Sequence, residues 1–372
     1  MICPQCKTKS FNRNVTISCP KCRYQLVFPP KDISQINDYF FIKKLKSISS
    51  NNSYYFTVKQ LYYYLLRNKA FNSSIYFIFP IIVLIFFSVP LIIGRSSIAL
   101  YTIFSIFILS IIAYKIRINY KFPYDIEKFK DIVIKKWELY KGSIENLLND
   151  EDLKFNLAKF NDIENYSFDA LLVTGDNEIA NFLIKNDFHF KNKTAIVSIN
   201  KYPNHLFPYV IEQITKNPNI PIFLIHNADI LSIENKDKVQ KNWFKNIPVK
   251  IFDLGLHPYH VIKSKKVITL KRNNITLPNI DLSSYSTKEQ NWLRAGYYTE
   301  LSIIPPVKLI NILEYAINIH KEKGSLELEK ILSSLFIVGL ALKLPKIKIG
   351  SGGGGSGSGG GGFEIDFGDD FG

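Results

Sequence analysis

FDALLVT (168–174), TAIVSI (194–199), IPIFLIH (220–226) and VKIFDL (249–254) are four apolar runs of strand length. Each is separated from the next by a stretch with helical apolar spacing: 177–186, 203–216 and 233–244. Runs apolar along both faces, alternating with helices, predict parallel strands buried between two helical layers. In such sheets, functional groups gather at the carboxyl ends of the strands. Those ends read Thr174-Gly175-Asp176, Asn200-Lys201-Tyr202, His226-Asn227-Ala228-Asp229 and Asp253-Leu254-Gly255. Asp176, Asp229 and Asp253 are therefore candidates for a carboxylate cluster able to hold Mg²⁺. Each also has a structural role open to it. Asp176 and Asp229 stand where helix N-caps are expected, and Asp253 precedes a Gly turn.

Outward from this sheet, the N-terminus carries a second clear pattern. All four cysteines of the 372-residue chain lie in its first 22 residues, as Cys3-Pro-Gln-Cys6 and Cys19-Pro-Lys-Cys22. Two such knuckles suit one tetrahedral Zn²⁺ held by four thiolates. A closed four-sulfur site is structural rather than catalytic. The expected ribbon spans 1–28, with 15–17 as a short strand. Lys7, Lys9, Arg13, Lys21 and Arg23 make it basic, and no acid precedes Asp32. Nucleic acid and anionic lipid are the polyanions it could touch, and beside a membrane the lipid headgroups are the simpler expectation.

The net charge of +15 is unevenly spread. Residues 1–72 hold 12 Lys+Arg against 2 Asp+Glu, and residues 115–141 hold 8 against 4. Between them, 74–93 and 97–114 are uncharged and separated by Gly94-Arg95-Ser96. Their length and flanking charge predict a transmembrane helical hairpin with both flanks cytoplasmic. The expected localisation is thus the cytoplasmic (inner) membrane, multi-pass, with the lipid bilayer as a partner. The balanced segment 142–349 excludes a uniformly basic nucleic-acid-binding surface. Four cysteines in a chain this long exclude a disulfide scaffold.

Thr57-Val-Lys-Gln60 is a capping-box pattern that opens a helix. Thr287-Lys-Glu-Gln290 is a second one. Residues 123–140 place Ile126, Phe129, Ile132, Val133 and Trp137 at helical spacing. Further helices are expected over 306–323 and 326–344. Gly350–Gly362 contains only Gly and Ser and ends in Phe363-Glu-Ile-Asp-Phe-Gly-Asp-Asp-Phe371. That acidic, aromatic peptide on a flexible tether suits docking to a protein partner.

The helix FTVKQLYYYLLR (56–67) resembles the winged-helix domain of the type IIB topoisomerase A subunit. There a Tyr of this helix is the DNA nucleophile, and Tyr62 or Tyr63 matches it. The βαβαβαβ order, with acids after the first and third strands, resembles the Toprim fold of the same family. Lys201-Tyr202-Pro203 is similar to the sequence after that family's second strand. The chain departs from the pattern where Toprim enzymes carry a Glu, here Thr174-Gly175, and a paired acid motif, here Asn227-Ala228-Asp229. The resemblance is therefore to a degenerate member. The chain also resembles bacterial zinc-ribbon membrane proteins with a glycine-rich tail.

The expected fold class is accordingly a multi-domain α/β membrane protein. Its parts are a zinc ribbon (1–28), a small winged-helix-like unit (32–72) and a transmembrane hairpin (74–114). An amphipathic helical connector (115–165) and a Toprim-like, Rossmann-like parallel α/β domain (166–282) follow. C-terminal helices (283–349) and the glycine-rich tail (350–372) complete it. The expected function is a membrane-anchored, cytoplasm-facing adaptor or sensor without catalysis. The alternative is a Mg²⁺-dependent DNA nuclease or topoisomerase-like enzyme using Tyr62, Tyr63, Asp176 and Asp229.

Overall fold

The computed structural model describes residues 2–9, 18–29, 32, 34, 36–71, 125–148, 167–264, 267–272 and 280–323. The chain divides into two compact units, Met1–Leu147 and Leu148–Gly372.

In the first unit, α1 (Asp38–Ile48) starts at Asn37, whose side chain accepts the Phe40 amide and caps the helix. Strand β1 (Phe56–Thr57) leads into α2 (Val58–Phe71). The expected capping box forms reciprocally: the Thr57 amide donates to Gln60 Oε1 at 3.0 Å, and the Gln60 amide donates to Thr57 Oγ1 at 3.2 Å. Helix α3 runs through Ile126–Phe129, Lys130–Lys135 and Lys136–Lys141, and its middle segment is π-helical. Ile134 lies in the core with Phe129, Val133 and Trp137. Strand β2 (Leu147–Leu148) pairs with β1.

These elements share one core with the end of the cysteine-rich segment. Phe28, Phe41 and Trp137 cluster there with ring centroids 4.8 to 6.0 Å apart. Buried Asp38 accepts the amides of Val27 and Phe28 at 3.0 and 2.8 Å. The segments expected as ribbon, helical unit and connector thus pack together here.

The second unit carries the predicted parallel sheet. Its strands are β3 (Ala170–Thr174), β4 (Thr194–Ser198), β5 (Ile222–Ile225) and β6 (Ile251–Asp253), in the spatial order β4-β3-β5-β6. Every pairing is parallel. Residues of β3, β4 and β5 are buried on both faces, which is why their sequences lack alternation. Helix α4 (Asn177–Lys185) and the short α5 (Phe188–Asn192) link β3 to β4, and α6 (Phe207–Lys216) links β4 to β5. Strand order reverses direction at β3. Right-handed crossovers then put the linking helices on opposite faces.

The helix predicted over 233–244 forms over a shorter stretch: after a 3-10 turn (Ile230–Ser232), α7 (Asn235–Lys238) runs directly into a π segment (Val239–Trp243). Helix α8 (Pro258–Lys263) follows β6. Strand β7 (Leu270–Lys271) pairs antiparallel with β8 (Tyr297–Tyr298) around α9 (Thr287–Arg294), and α10 (Pro306–Lys323) follows. The second capping interaction sits one residue earlier than predicted: the Ser286 amide donates to Glu289 Oε2 at 3.0 Å.

The expectation of a membrane protein is corrected. Among the described residues no helix is long and apolar enough to cross a membrane. A span needs about 20 apolar residues. The longest helix described, α10, has 18 and carries Lys308, Glu314, Lys321, Glu322 and Lys323. The membrane fold class and the multi-pass, inner-membrane localisation are withdrawn on this ground. The predicted hairpin at 74–114 lies outside the described residues. So do the predicted strand at 15–17, the helix at 326–344 and the tail at 350–372.

Candidate metal centres

In the first unit, the two cysteine knuckles are built alike. Cys3 donates its amide to the Thr8 carbonyl and accepts the Lys7 amide; Cys19 does the same with Tyr24 and Arg23. Isolated antiparallel bridges, Ile2 to Lys9 and Ser18 to Gln25, close each loop. Lys7 and Arg23 occupy equivalent turn positions, both with φ of 57°. Each loop thereby aims two sulfurs the same way.

The four thiols are free, and Cys3 Sγ lies 3.5 Å from Cys22 Sγ, while Cys6 Sγ lies 3.6 Å from Cys19 Sγ. These separations are far beyond a disulfide bond of about 2.05 Å. They approach the roughly 3.8 Å edge of a tetrahedron with metal–sulfur bonds of about 2.3 Å. All four sulfurs lie within 4.8 Å of one another, so the cluster could bind a metal ion. Hydrogen bonds with Thr8 pull the Cys6 thiol down to about 6, while, against a lowering backbone bond at Tyr24, burial and the neighbouring sulfurs push Cys22 up to about 12.

In the second unit, the carboxyl edge of the sheet holds His226, just after β5, and Asp253, the last residue of β6. The register pairs Leu224 with Asp253, which brings these neighbouring strand ends together. His226 Nε2 lies 3.0 Å from Asp253 Oδ1 and 3.2 Å from Oδ2. His257, the N-cap of α8, places its Nε2 3.6 Å from the same Oδ1. Donor atoms of all three residues lie within 4.8 Å of one another.

The surroundings fix these side chains. His226 Nδ1 donates to the Asn227 carbonyl at 2.8 Å. The Gly255 amide donates to Asp253 Oδ1 at 2.9 Å. Gly255 must be glycine for a packing reason: a Cβ there would lie 2.4 Å from His226 Cδ2 and Nε2. The His257 amide donates to His260 Nδ1 at 3.0 Å, which anchors the start of α8.

Electrostatics follow from this packing. Burial opposes a charged His226, but the Asp253 carboxylate outweighs it and raises the His226 pKa. Burial likewise opposes a charged Asp253, yet His226 and His257 hold its carboxyl well below the usual carboxylate range. Burial lowers His257, and it pushes His260 down to about 4.

The other candidates have different partners. Asp176 caps α4 by accepting the Ile179 amide at 2.8 Å. Asp229 is 5 % exposed and forms a two-pronged ion pair with Arg272. It also accepts the Leu231 amide at 3.2 Å and caps the 3-10 turn. Around it, Ala228 and Thr299 exchange backbone hydrogen bonds, and Asn227 Oδ1 accepts the Leu301 amide. The segment after β5 is thus clamped by chain about 70 residues downstream, as the Asn227–Leu301 bond spans 74 positions.

Tyr62 and Tyr63 stand on α2. Tyr63 is buried, and the Tyr62 ring packs 5.3 Å from that of Phe129.

The structure therefore joins Asp253 to two histidines rather than to Asp176 and Asp229 in a close-packed donor set. Sequence reasoning singled out Asp253 and missed His226 and His257 as its neighbours in this set. The usable signal was an imidazole at one strand end and a His257-x-x-His260 pair just after the next. No family model, curated protein or solved structure matches the chain.

Proposed function

We propose that the protein is a non-catalytic adaptor whose N-terminal ribbon is held by zinc and binds nucleic-acid phosphates. Cys3, Cys6, Cys19 and Cys22 would hold the ion. Zn²⁺ bound there supplies a cross-link between two short loops that have little core of their own. The ribbon's described surface is basic. Lys7 and Lys9 on one knuckle and Lys21 and Arg23 on the other are exposed. Each can neutralise a phosphate and release a counterion.

The observation that carries the non-catalytic reading is the engagement of Asp229. Mg²⁺ chemistry on a phosphodiester needs two or three free carboxylates around the ion. Asp229 is committed to Arg272 and to the Leu231 amide, and Asp176 to the Ile179 amide. The parallel sheet, with acids after its first and third strands, supports the likeness to a degenerate Toprim-like domain.

Incubating the purified full chain with supercoiled DNA and Mg²⁺ tests this reading. The expected result is intact DNA, together with binding in fluorescence anisotropy that weakens as salt rises. A double charge reversal, Lys7→Glu with Arg23→Glu, should lower that affinity at least tenfold. Mg²⁺-dependent nicking that Asp229→Ala abolishes would overturn the adaptor reading in favour of a nuclease.

A further inference from the structure

The geometry points to a second metal site in the α/β unit: His226, Asp253 and His257 bind one divalent transition-metal ion of the zinc class. His226 carries the chemistry. Its Nδ1 faces the Asn227 carbonyl at 2.8 Å and must donate a proton there. A neutral ring then has only a lone pair at Nε2. That lone pair faces both oxygens of the Asp253 carboxylate at 3.0 and 3.2 Å. A proton on Nε2 satisfies the Asp253 contact alone, whereas a metal ion there would also engage a third donor: His257 Nε2 lies 3.6 Å from the same carboxylate, and donor atoms of all three residues converge within 4.8 Å.

A metal ion uses all three. Metal–nitrogen and metal–oxygen bonds of about 2.0–2.1 Å put tetrahedral donors roughly 3.3–3.4 Å apart. The observed separations of 3.0 and 3.6 Å bracket that value. The outer contacts also match what metal-bound imidazoles and carboxylates need. Asn227 fixes the His226 tautomer, leaving Nε2 free to ligate, and the Gly255 amide orients the carboxylate.

Two imidazoles and one carboxylate favour zinc, cobalt or nickel over magnesium or calcium, which prefer oxygen alone. Access is one-sided. The His226 side chain is 5 % exposed and the His257 side chain 32 %. The cluster is therefore least covered at His257.

The test is metal content of the tag-free full chain after equilibrium dialysis against Zn²⁺. Two equivalents per chain are expected, one in each unit; a single equivalent would overturn the second site. X-ray absorption at the zinc edge of the same sample should show an average shell of about two sulfurs and about two nitrogen or oxygen donors. A shell of four sulfurs alone would also overturn it. His257→Ala should then bind one Co²⁺ per chain, with the cobalt–thiolate charge-transfer band unchanged; retention of two would refute the assignment. If that variant fails to fold, the wild-type absorption spectrum still decides. Loss of DNA binding would not change the metal count, so this site and the proposed function fail separately.

Discussion

Replacing Gly255 by Ala tests whether the His226 ring is held where the structure places it. An alanine Cβ would lie 2.4 Å from two ring atoms and 2.7 Å from a third. Ordinary van der Waals contact is at least 3.4 Å, so the ring must retreat by about 1 Å. It has little freedom to do so, because Nδ1 is bound to the Asn227 carbonyl and Nε2 faces Asp253. Overpacking costs about 1–3 kcal/mol, and weakening a hydrogen bond to a charged group about 1.5–3. These overlap, so the expected loss is about 2–4 kcal/mol. For a domain of this size that is about 4–16 °C in Tm.

Thermal denaturation by circular dichroism measures it, in the wild-type chain and in a His226→Ala background. Removing the ring removes the clash, so Gly255→Ala should cost under about 0.5 kcal/mol there, leaving a coupling of about 1.5 kcal/mol or more. An equal cost in both backgrounds would show that the ring does not rest on Gly255. The account of the strand-end cluster would fail with it.

Two further outcomes can be checked by denaturation. Arg272→Met leaves the Asp229 carboxylate buried without its main partner; it should destabilise the chain by about 2–4 kcal/mol. Adding Asp229→Asn should restore part of that loss, as read from urea midpoints. Acid sensitivity in the first unit should trace partly to Asp32. Burial pushes its pKa up, but its bonds to Lys136 and Ser34 prevail and hold it below the normal value. A depressed carboxylate contributes stability above its unfolded value of about 3.9 and loses it as pH falls through the folded value. The Tm difference between wild type and Asp32→Asn should therefore be largest near neutrality and shrink below about pH 4.

Local patterns were legible in the chain itself. Thr57 and Gln60 close their capping box because both partners lie within one helical turn. The strands could be located because burial on both faces demands uninterrupted apolar runs. Where context intervened, local reading slipped. The capping contact moved from Thr287 to Ser286, and the helix expected over 233–244 formed over 235–243 with its second half π-helical. Asp229 read equally well as a cap and as a metal ligand. Its partner Arg272 lies 43 residues away, and no local spacing announces it.

By itself, the sequence determined the four-cysteine cluster and the parallel α/β class. Both depend on short-range spacing, two Cys-x-x-Cys turns and strand-length apolar runs. Only the tertiary structure decided which polar groups meet at the sheet's carboxyl edge. His226 and Asp253 are 27 residues apart in the chain, and they meet because β5 and β6 are hydrogen-bonded neighbours in a fixed register. Strand adjacency and register are set by the packing of the whole unit, so the donor set they create has no counterpart in any single stretch of sequence.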